Sequence, residues 1–400
     1  MTTNPDTQLY IDGAWRTTGD DLPVIDPATG QEVSRVAVAG AGDLDDALAA
    51  AVAGFETWRA TPPRERSRVI LAATALLRSR QEEIAHAITR ENGKPLGEAR
   101  AEVIRGVEFF EWDAGEAMRT YGRVIPSGPD SRNVVHHQPI GPVAAFSPWN
   151  FPVSQPARKL AGALASGCSI ILKAAEETPA GAAHIARAFH EVGLPPGVLN
   201  LVFGVPDEIS RHLIPSEAIR LVAFTGSTVV GRHLTGLASQ HLTPVLMELG
   251  GHAPVIVCED TDVDAAAALS ADRAMRNAGQ VCTSPTRFFV HQDVYERFLD
   301  GVTRGATGIP VGPGTDPDVV MGPMANDRRI AAVAELVEDA CTHGGTVTTG
   351  GRPIGDAGYF FEPTVLADVG DDARIMSEEP FGPVAIVNPV DSLDTAIDRA

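Results

Sequence analysis

A single cysteine, with charged residues at short distances along the chain, is the first place where this sequence could do chemistry. Cys282 follows Gly-Gln-Val in the stretch MRNAGQVCTSPTR, and Arg276 stands six residues before it. A thiolate is a strong nucleophile towards a carbonyl carbon, whereas a buried cysteine without such a role is an inert small apolar side chain. The cysteine alone leaves both interpretations open.

Two further polar residues have neighbours that favour catalysis. Glu248 in MELGG ends a strand-like run before a Gly-Gly pair, and a carboxylate among apolar neighbours is costly to bury unless its proton affinity is used. Asn150 lies between prolines in PWNFP, where its amide could donate a hydrogen bond to a developing oxyanion. The sequence therefore offers a nucleophile, a base and an oxyanion donor.

Two stretches could bind a dinucleotide. FTGSTVVG (224–231) is a turn between a strand and a helix, where free amides and the helix dipole favour a pyrophosphate, although it lacks the G-x-G-x-x-G spacing and could be a plain connector. Lys173 ends the strand SIILK, and Glu176 follows three residues later. At the carboxyl end of a strand, Glu176 could accept hydrogen bonds from ribose hydroxyls. The alternative is that Glu176 forms a solvated ion pair with Lys173.

The elements that must position these residues follow from periodicity. From residue 141 onward strands and helices alternate, which predicts a parallel, doubly wound sheet, and a second alternation from residue 254 predicts a second α/β domain. The strands are expected at 143–146, 169–173, 199–202, 221–224, 254–257 and 287–290, with helices near 155–165, 179–192 and 263–278. Upstream we expect short antiparallel strands over 8–38, helices at 43–58, 62–80 and 98–118, and a protruding strand-like segment at 121–138.

Composition excludes several classes of function. A chain of 400 residues exceeds one ordinary core, so two or more domains are expected. Its 52 acidic and 32 basic residues give a net charge of -20, which disfavours nucleic acid and anionic membranes as partners. Without a membrane-length apolar run or a signal-like start, the sequence predicts a cytoplasmic protein. Four scattered cysteines and the adjacent His136 and His137 indicate neither a disulfide framework nor a metal site.

Taken together, the motifs resemble the aldehyde dehydrogenase superfamily. PWNFP, the strand ending at Lys173 with Glu176, FTGSTVVG, ELGG, GQVC and EEPFGPV occur in this order, and Glu248 lies 34 residues before Cys282. The resemblance runs from residue 9 to the end. It implies an α/β fold like that of aldehyde dehydrogenases: a discontinuous NAD-binding domain over 1–120 and 139–247, an oligomerisation segment at 121–138 and a catalytic domain over 248–400.

The resemblance also implies roles for individual residues. Cys282 would attack the aldehyde, the Asn150 amide and the Cys282 N–H would hold the oxyanion, and Glu248 would activate the water that hydrolyses the thioester. Glu176 favours NAD over NADP because a carboxylate repels a 2′-phosphate. The cofactor-binding residues would be Pro148, Trp149, Lys173, Glu176, Gly226, Ser227, Val230, Gly231, Glu379 and Phe381.

Two arginines suggest the substrate. Arg158, eight residues after Asn150, and Arg276 resemble the succinate-semialdehyde dehydrogenase branch. Two guanidinium groups would bind the carboxylate of succinate semialdehyde or a similar ω-carboxy aldehyde such as glutarate semialdehyde. The alternative is that either arginine pairs with an acidic neighbour, which would leave a general aldehyde dehydrogenase of other specificity.

Some features depart from that family. His252 replaces the usual asparagine, KAAEE replaces Lys-Pro-Ala-Glu, and Ser284 excludes the disulfide switch that a second cysteine would form. DSLDTAIDRA resembles a helix cut mid-course, so we expect a C-terminally truncated catalytic domain, and an inactive nucleotide-binding remnant is the rival interpretation. Glu248 argues against a CoA-acylating enzyme. A dimer or tetramer is expected of a complete chain only.

Overall fold

The computed structural model describes residues 4–400, which form two compact units. The first comprises the described part of Met1–Val24, with Val33–Ala87 and Arg100–Leu249, and the second comprises Ile25–Glu32, Ile88–Ala99 and Gly250–Ala400. The stretches 25–32 and 88–99 therefore group with the second unit, whereas the predicted division has them in the NAD-binding domain. Residues 1–3 of that domain lie outside the described residues. The functions assigned to the domains stay predictions.

The chain begins with short strands, as expected. They are β1 Leu9–Ile11, β2 Ala14–Arg16, β3 Asp21–Asp26 and β4 Gln31–Ala37. β1 and β2 pair antiparallel across the two-residue turn Asp12-Gly13, where both residues have positive φ (52° and 75°), the conformation that tight hairpins favour. β3 and β4 form a separate two-stranded sheet.

Four helices follow, where the sequence predicts three. They are α1 Ala41–Ala60, α2 Pro63–Ser79, α3 Gln81–Asn92 and α4 Leu96–Glu116. The unpredicted helix is α3, whose sequence QEEIAHAITREN is mostly polar. Ile84, Ala85 and Ile88 nevertheless lie at helical spacing and are buried, so the periodic signal was present in a segment of low hydrophobicity.

The segment expected to protrude forms a small two-stranded antiparallel sheet of β5 Arg123–Ile125 and β6 Asn133–Val135. Its side chains are largely exposed, including Val124 at 70%. Its predicted part in oligomer formation stays a prediction.

The first unit is built around a seven-stranded sheet. The strands follow the order β11-β10-β7-β8-β9-β1-β2, and β7 to β11 are parallel. Because the chain winds in both directions from β7, the prediction of a doubly wound sheet is confirmed. β7, β8 and β9 are buried throughout, as central parallel strands must be. The elements are β7 Val143–Phe146, α5 Ser154–Ser166, β8 Ile170–Lys173, α6 Pro179–Glu191, β9 Leu199–Val202, α7 Pro206–Leu213, β10 Leu221–Gly226, α8 Thr228–Ser239 and β11 Val245–Leu249.

The second unit has a five-stranded sheet of order β12-β13-β16-β15-β14, in which only β14 runs antiparallel to its neighbour. Its core contains the fully buried Phe288, Phe289, Phe298 and Phe361. The predicted second α/β domain is therefore present. Its elements are β12 Ala253–Val257, α9 Val263–Met275, β13 Pro285–His291, α10 Tyr295–Thr307, α11 Asp327–Thr342, β14 Thr346–Thr349, β15 Thr364–Ala367, β16 Val384–Val390 and α12 Leu393–Arg399.

Candidate functional site

Asn150 lies in the first unit, in the irregular turn that joins β7 to α5. Its side chain is buried, and Pro148 and Trp149 precede it in the same turn. The turn is held by Glu102 of α4, whose Oε1 accepts hydrogen bonds from Val153 N (2.8 Å) and Ser154 N (3.1 Å). A carboxylate at the N-terminus of a helix satisfies amides that have no partner inside the helix. The sequence analysis did not single out Glu102.

Glu248 lies on β11, the edge strand of the same sheet, beside Thr225 of β10. Its side chain is exposed, so the cost of burying a carboxylate among apolar neighbours does not apply to it, and its catalytic role stays a prediction. Lys159 of α5 donates to Thr225 Oγ1 at 2.5 Å, and burial lowers the pKa of Lys159 to about 8, opposed by the negative charge of Glu248. Glu248 therefore has a basic neighbour that the sequence analysis missed.

Arg158 immediately precedes Lys159 on α5 and is exposed. Its guanidinium carbon lies 5.1 Å from the centre of the Phe109 ring, within the range of a cation–π interaction. Asp113 lies close enough to Arg158 to feel its charge. Burial raises the pKa of the Asp113 carboxyl, and the charge of Arg158 opposes that rise. Arg158 thus has an aromatic partner and an acidic neighbour within its own unit.

The predicted pyrophosphate turn joins β10 to α8. Ser227 is the N-cap of α8 and accepts a hydrogen bond from Val230 N at 3.4 Å, and residues 227–230 are exposed. A Cβ on Gly226 would come within 2.4 Å of the Phe224 ring, and one on Gly231 within 2.5 Å of the Leu249 side chain. The two glycines let the helix start close to the sheet, so the exposed first turn of α8 can accept an anion.

Lys173 and Glu176 form an ion pair at the carboxyl end of β8. Their side chains are only 7% and 21% exposed, so the pair is formed but is not solvated. The charge of Lys173 is compensated locally, and the carboxylate stays available as an acceptor at the edge of the sheet where ligands of parallel sheets bind.

Cys282 lies in the second unit, behind an unusual turn. α9 ends at Met275, three residues before the predicted end, and Asn277, Ala278 and Gly279 follow with left-handed φ values of 50°, 53° and 68°. Left-handed backbone is strained for residues other than glycine. A Cβ on Gly279 would lie 1.9 Å from the Gly382 carbonyl oxygen, so this position requires glycine. We call residues 276–282 the nucleophile turn.

Buried polar contacts hold the nucleophile turn. Gln280 is fully buried and donates to the Asn277 carbonyl at 3.0 Å, while its Oε1 accepts from Ala325 N at 2.9 Å. Asn277 in turn donates to the Gln280 carbonyl at 3.3 Å. Cys282 itself is half-buried and is not part of a disulfide. The turn is therefore fixed by side chains that bond its own backbone.

Glu98 contacts the beginning of this turn. Its Oε1 accepts from Asn277 N at 3.2 Å, and its Oε2 lies 3.8 Å from Nε of Arg276. The predicted alternative, that an arginine pairs with an acidic neighbour, is therefore present at Arg276. Glu98 is 179 residues from Asn277 in sequence, and the sequence analysis did not predict the contact.

His252, which departs from the family pattern, bridges two segments of the second unit. Its Nε2 donates to the Ile375 carbonyl at 2.6 Å, and its Nδ1 is 2.6 Å from Thr286 Oγ1, which donates to it. Burial lowers the pKa of His252. The histidine thereby connects the strand after Cys282 with the segment that leads to Glu379.

Glu379 and Phe381 lie in the second unit, in a loop held by Arg329 of α11. Arg329 donates to the carbonyls of Pro380 (2.5 Å) and Phe381 (3.4 Å), and Phe381 has a φ of 45°. Burial raises the pKa of Glu379 to about 7, opposed by the Gly251 N–H and the charge of Arg329. Among residues 4–400 the buried Oε1 of Glu379 has no hydrogen-bond partner, so it can accept one from a ligand.

Residues 4–400 contain neither a candidate metal site nor a helix that could span a membrane. No group of three or more His, Cys, Asp or Glu side chains there is arranged to hold a metal ion. No helix within those residues is long and apolar enough to span a bilayer.

Comparison with known proteins identifies the family. Residues 15–400 match the model of the aldehyde dehydrogenase family. The chain belongs to this family. 4-(Hydroxymethyl)benzenesulfonate dehydrogenase TsaD1 of Comamonas testosteroni is 49% identical over 98% of this chain and 82% of its own length. A probable succinate-semialdehyde dehydrogenase of Sinorhizobium fredii, whose name specifies NADP(+), is 40% identical over 94% of this chain and 77% of its own.

Solved structures agree with the fold. The succinate-semialdehyde dehydrogenase of Burkholderia pseudomallei is 37% identical and superposes with a TM-score of 0.96 over 98% of this chain and 82% of its own. The predicted aldehyde dehydrogenase fold and the resemblance to the succinate-semialdehyde branch are confirmed. The roles predicted for individual residues are not tested by these similarities.

Proposed function

We propose that this chain oxidises an aldehyde that carries an anionic group at its far end, a carboxylate or a sulfonate, with NAD as the oxidant. The observation that carries this proposal is the placement of two arginines: Arg158 follows the Asn150 turn on α5, and Arg276 opens the nucleophile turn. Relatives named for a sulfonate and for succinate semialdehyde support an anionic tail.

The chemistry is assigned to three residues. The Cys282 thiolate adds to the aldehyde carbon, and the amide of Asn150 together with the Cys282 N–H stabilises the negative charge on oxygen. The first turn of α8, Glu176 and Glu379 would hold NAD, which would supply a hydride acceptor; loss of hydride from the adduct would leave a thioester on Cys282. Glu248 then takes a proton from water as the water oxygen attacks the thioester carbon; the carbon–sulfur bond breaks, which releases the acid and restores the Cys282 thiolate.

Lys159 has a supporting part in this proposal. It neighbours Glu248, and its pKa is lowered to about 8. A small change in its surroundings can therefore make Lys159 bind or release a proton near neutral pH. An exposed carboxylate with such a neighbour can pass on the proton that it takes from water. We assign Glu248 the role of base and Lys159 that of a positioning and proton-holding residue.

The described residues fit a dinucleotide. The exposed first turn of α8, with Ser227 at its N-cap, suits the pyrophosphate, and Glu176 suits the hydroxyls of the adenosine ribose. Oε1 of Glu379, which has no hydrogen-bond partner within residues 4–400, could accept one from a hydroxyl of the second ribose. Glu176 would repel a 2′-phosphate, and Lys173 beside it is already paired, so we propose NAD over NADP. The cofactor named for the Sinorhizobium relative makes NADP the competitor to test.

Matched pairs of substrates test the proposal. Succinate semialdehyde and butyraldehyde share a carbon chain and differ in the carboxylate; 4-formylbenzenesulfonate and benzaldehyde differ in the sulfonate. We expect kcat/KM for the anionic member of at least one pair to exceed that of its neutral partner by about tenfold or more, since a charge-assisted hydrogen bond contributes roughly 1.5–3 kcal/mol. NADH absorbance, with NAD and NADP in parallel, measures the rates.

Variants separate the possible outcomes. Cys282→Ala must abolish all turnover, and Arg158→Gln and Arg276→Gln must each reduce the preference for the anionic aldehyde while sparing its neutral partner. Equal rates within both pairs would leave an aldehyde dehydrogenase of other specificity, in which the contacts of Arg158 with Phe109 and of Arg276 with Glu98 are structural. A folded chain that binds NAD without turnover would be an inactive remnant.

A further inference from the structure

Glu98 uses its two carboxylate oxygens for two different purposes. Oε1 accepts a hydrogen bond from Asn277 N, the first left-handed residue of the nucleophile turn, and Oε2 faces the Nε side of Arg276 at 3.8 Å. The side chains of Glu98 and Arg276 are 20% and 36% exposed, so water screens the ion pair only in part. One carboxylate thus acts both on the backbone before Cys282 and on the charge of the predicted anion-binding arginine.

The backbone contact matters because the turn is strained. Asn277 and Ala278 have positive φ values without being glycine, and such conformations persist only when surrounding contacts impose them. Gln280 bonds the turn from inside the core, while Glu98 accepts a hydrogen bond from the amide of Asn277. Removing the acceptor at Glu98 would leave the Asn277 N–H without that bond at the point where the chain leaves α9.

The charge matters because an anion that binds Arg276 must approach a guanidinium that already has a carboxylate neighbour. An anion held by the terminal nitrogens of Arg276 would lie on the order of 7 Å from the Glu98 carboxylate, and at an effective dielectric constant of about 50, between those of protein and water, this repulsion changes an equilibrium about fivefold. The arginine then selects an anionic tail mainly through directed hydrogen bonds from its two terminal nitrogens, and less through its net charge.

We propose that Glu98 is a specificity-determining and positioning residue: Oε1 holds the nucleophile turn, and the charge on the carboxylate weakens the attraction of Arg276 for an anionic substrate. This inference rests on the proposed function, in which Cys282 is the nucleophile and Arg276 contacts the substrate.

Two substitutions separate the purposes. Glu98→Gln keeps an oxygen that accepts from Asn277 N but removes the charge, so kcat/KM for succinate semialdehyde should rise about fivefold, an increase that salt reduces, while butyraldehyde stays within about twofold of the unmodified chain. Glu98→Ala removes both contacts, so kcat should fall about tenfold or more for both aldehydes.

Variants built on an Arg276→Gln chain keep a failure of this inference distinguishable from a failure of the proposed function. In an Arg276→Gln chain, adding Glu98→Gln should no longer raise kcat/KM for succinate semialdehyde, because the anionic tail is then no longer held close to Glu98. If Glu98→Gln lowers the preference for the anionic aldehyde, the charge holds Arg276 in place and the inference is overturned. If the unmodified chain shows no anion preference, the proposed function fails first.

The rate at which iodoacetamide alkylates Cys282, followed by mass spectrometry, reports the state of the turn independently of turnover. Glu98→Gln should leave this rate unchanged, and Glu98→Ala should alter it.

Discussion

Each of the two predicted catalytic segments is held by one glutamate, but the two arrangements differ. In the first unit, the carboxylate of Glu102 is 4% exposed and bonds two amides at the start of α5, a regular helix. In the second unit, the half-exposed pair of Glu98 and Arg276 borders a left-handed turn. The first segment is secured by burial and helix geometry, and the second by contacts that impose a strained backbone. Loss of the holding glutamate should therefore act mainly on stability in the first segment and mainly on activity in the second.

The largest effect is expected from Gly279→Ala. The new Cβ would meet the Gly382 carbonyl at 1.9 Å, at a φ of 68°, so the nucleophile turn must shift and kcat should fall about a thousandfold, with a loss of roughly 3 kcal/mol of stability. Gly193→Ala is the matched control in the first unit, because Gly193 also has a positive φ, 77°, but a Cβ there would have nothing within 4 Å. Steady-state rates compare the two variants; equal losses would contradict the difference between the units.

The next largest effect is expected from Glu248→Gln. Loss of a general base lowers a rate by about 10² to 10⁴, and because the proposed role of Glu248 falls after NADH formation, the first turnover should persist. Rapid mixing of enzyme with succinate semialdehyde and NAD should show a burst of NADH followed by slow turnover. A burst that disappears together with the steady-state rate would place Glu248 before the thioester.

Glu102→Ala should act on stability. It leaves the Val153 and Ser154 amides without this buried acceptor, and unpaired buried polar groups cost about 1–3 kcal/mol, whereas Glu98→Ala, at a more exposed site, should cost about 1 kcal/mol or less. All four tryptophans, at positions 15, 58, 112 and 149, belong to the first unit. Tryptophan fluorescence during urea unfolding therefore reports that unit directly, and a midpoint that Glu102→Ala leaves unmoved would contradict the prediction.

The smallest effect concerns pH. The pKa of Lys159 falls from 10.5 to about 8 in the folded chain, so the unfolded chain binds more protons between these values and stability rises with pH there. Relative to Lys159→Met, the free energy of unfolding should be constant below pH 8 and increase by roughly 1 kcal/mol at pH 9. Urea titrations at several pH values measure the difference between the two chains; a parallel pH dependence would show that Lys159 has an ordinary pKa.

Sequence patterns predicted the regular parts of the molecule well. The strands at 143–146 and 199–202 have the predicted bounds, because buried parallel strands are short apolar runs between turns. The end of α9 was predicted three residues too late, since Ala278 carries no local signal for left-handed backbone and Asn277, a residue type that tolerates it, carries only a weak one. That conformation depends on contacts with residues far away in sequence, such as Glu98.

The residues of the candidate site, too, were predicted only in part from the sequence. Family motifs identify Cys282, Glu248 and Asn150, but not the residues that contact their segments. Glu98, Glu102, Lys159 and Arg329 lie on helices, where each resembles an ordinary surface charge in the sequence. The exposure of Glu248 was also missed, because β11 reads as an apolar run although it forms the edge of the sheet.

The raised pKa of Glu379, about 7, affects how any binding measurement on this chain must be interpreted. A carboxyl that is about half protonated near neutral pH takes up or releases a proton whenever a ligand changes its surroundings. The buffer supplies or absorbs that proton, and its heat of ionisation is added to the calorimetric signal. Titrations of NAD in phosphate and in Tris at the same pH should therefore give different apparent enthalpies, and the slope against buffer ionisation enthalpy counts the protons exchanged.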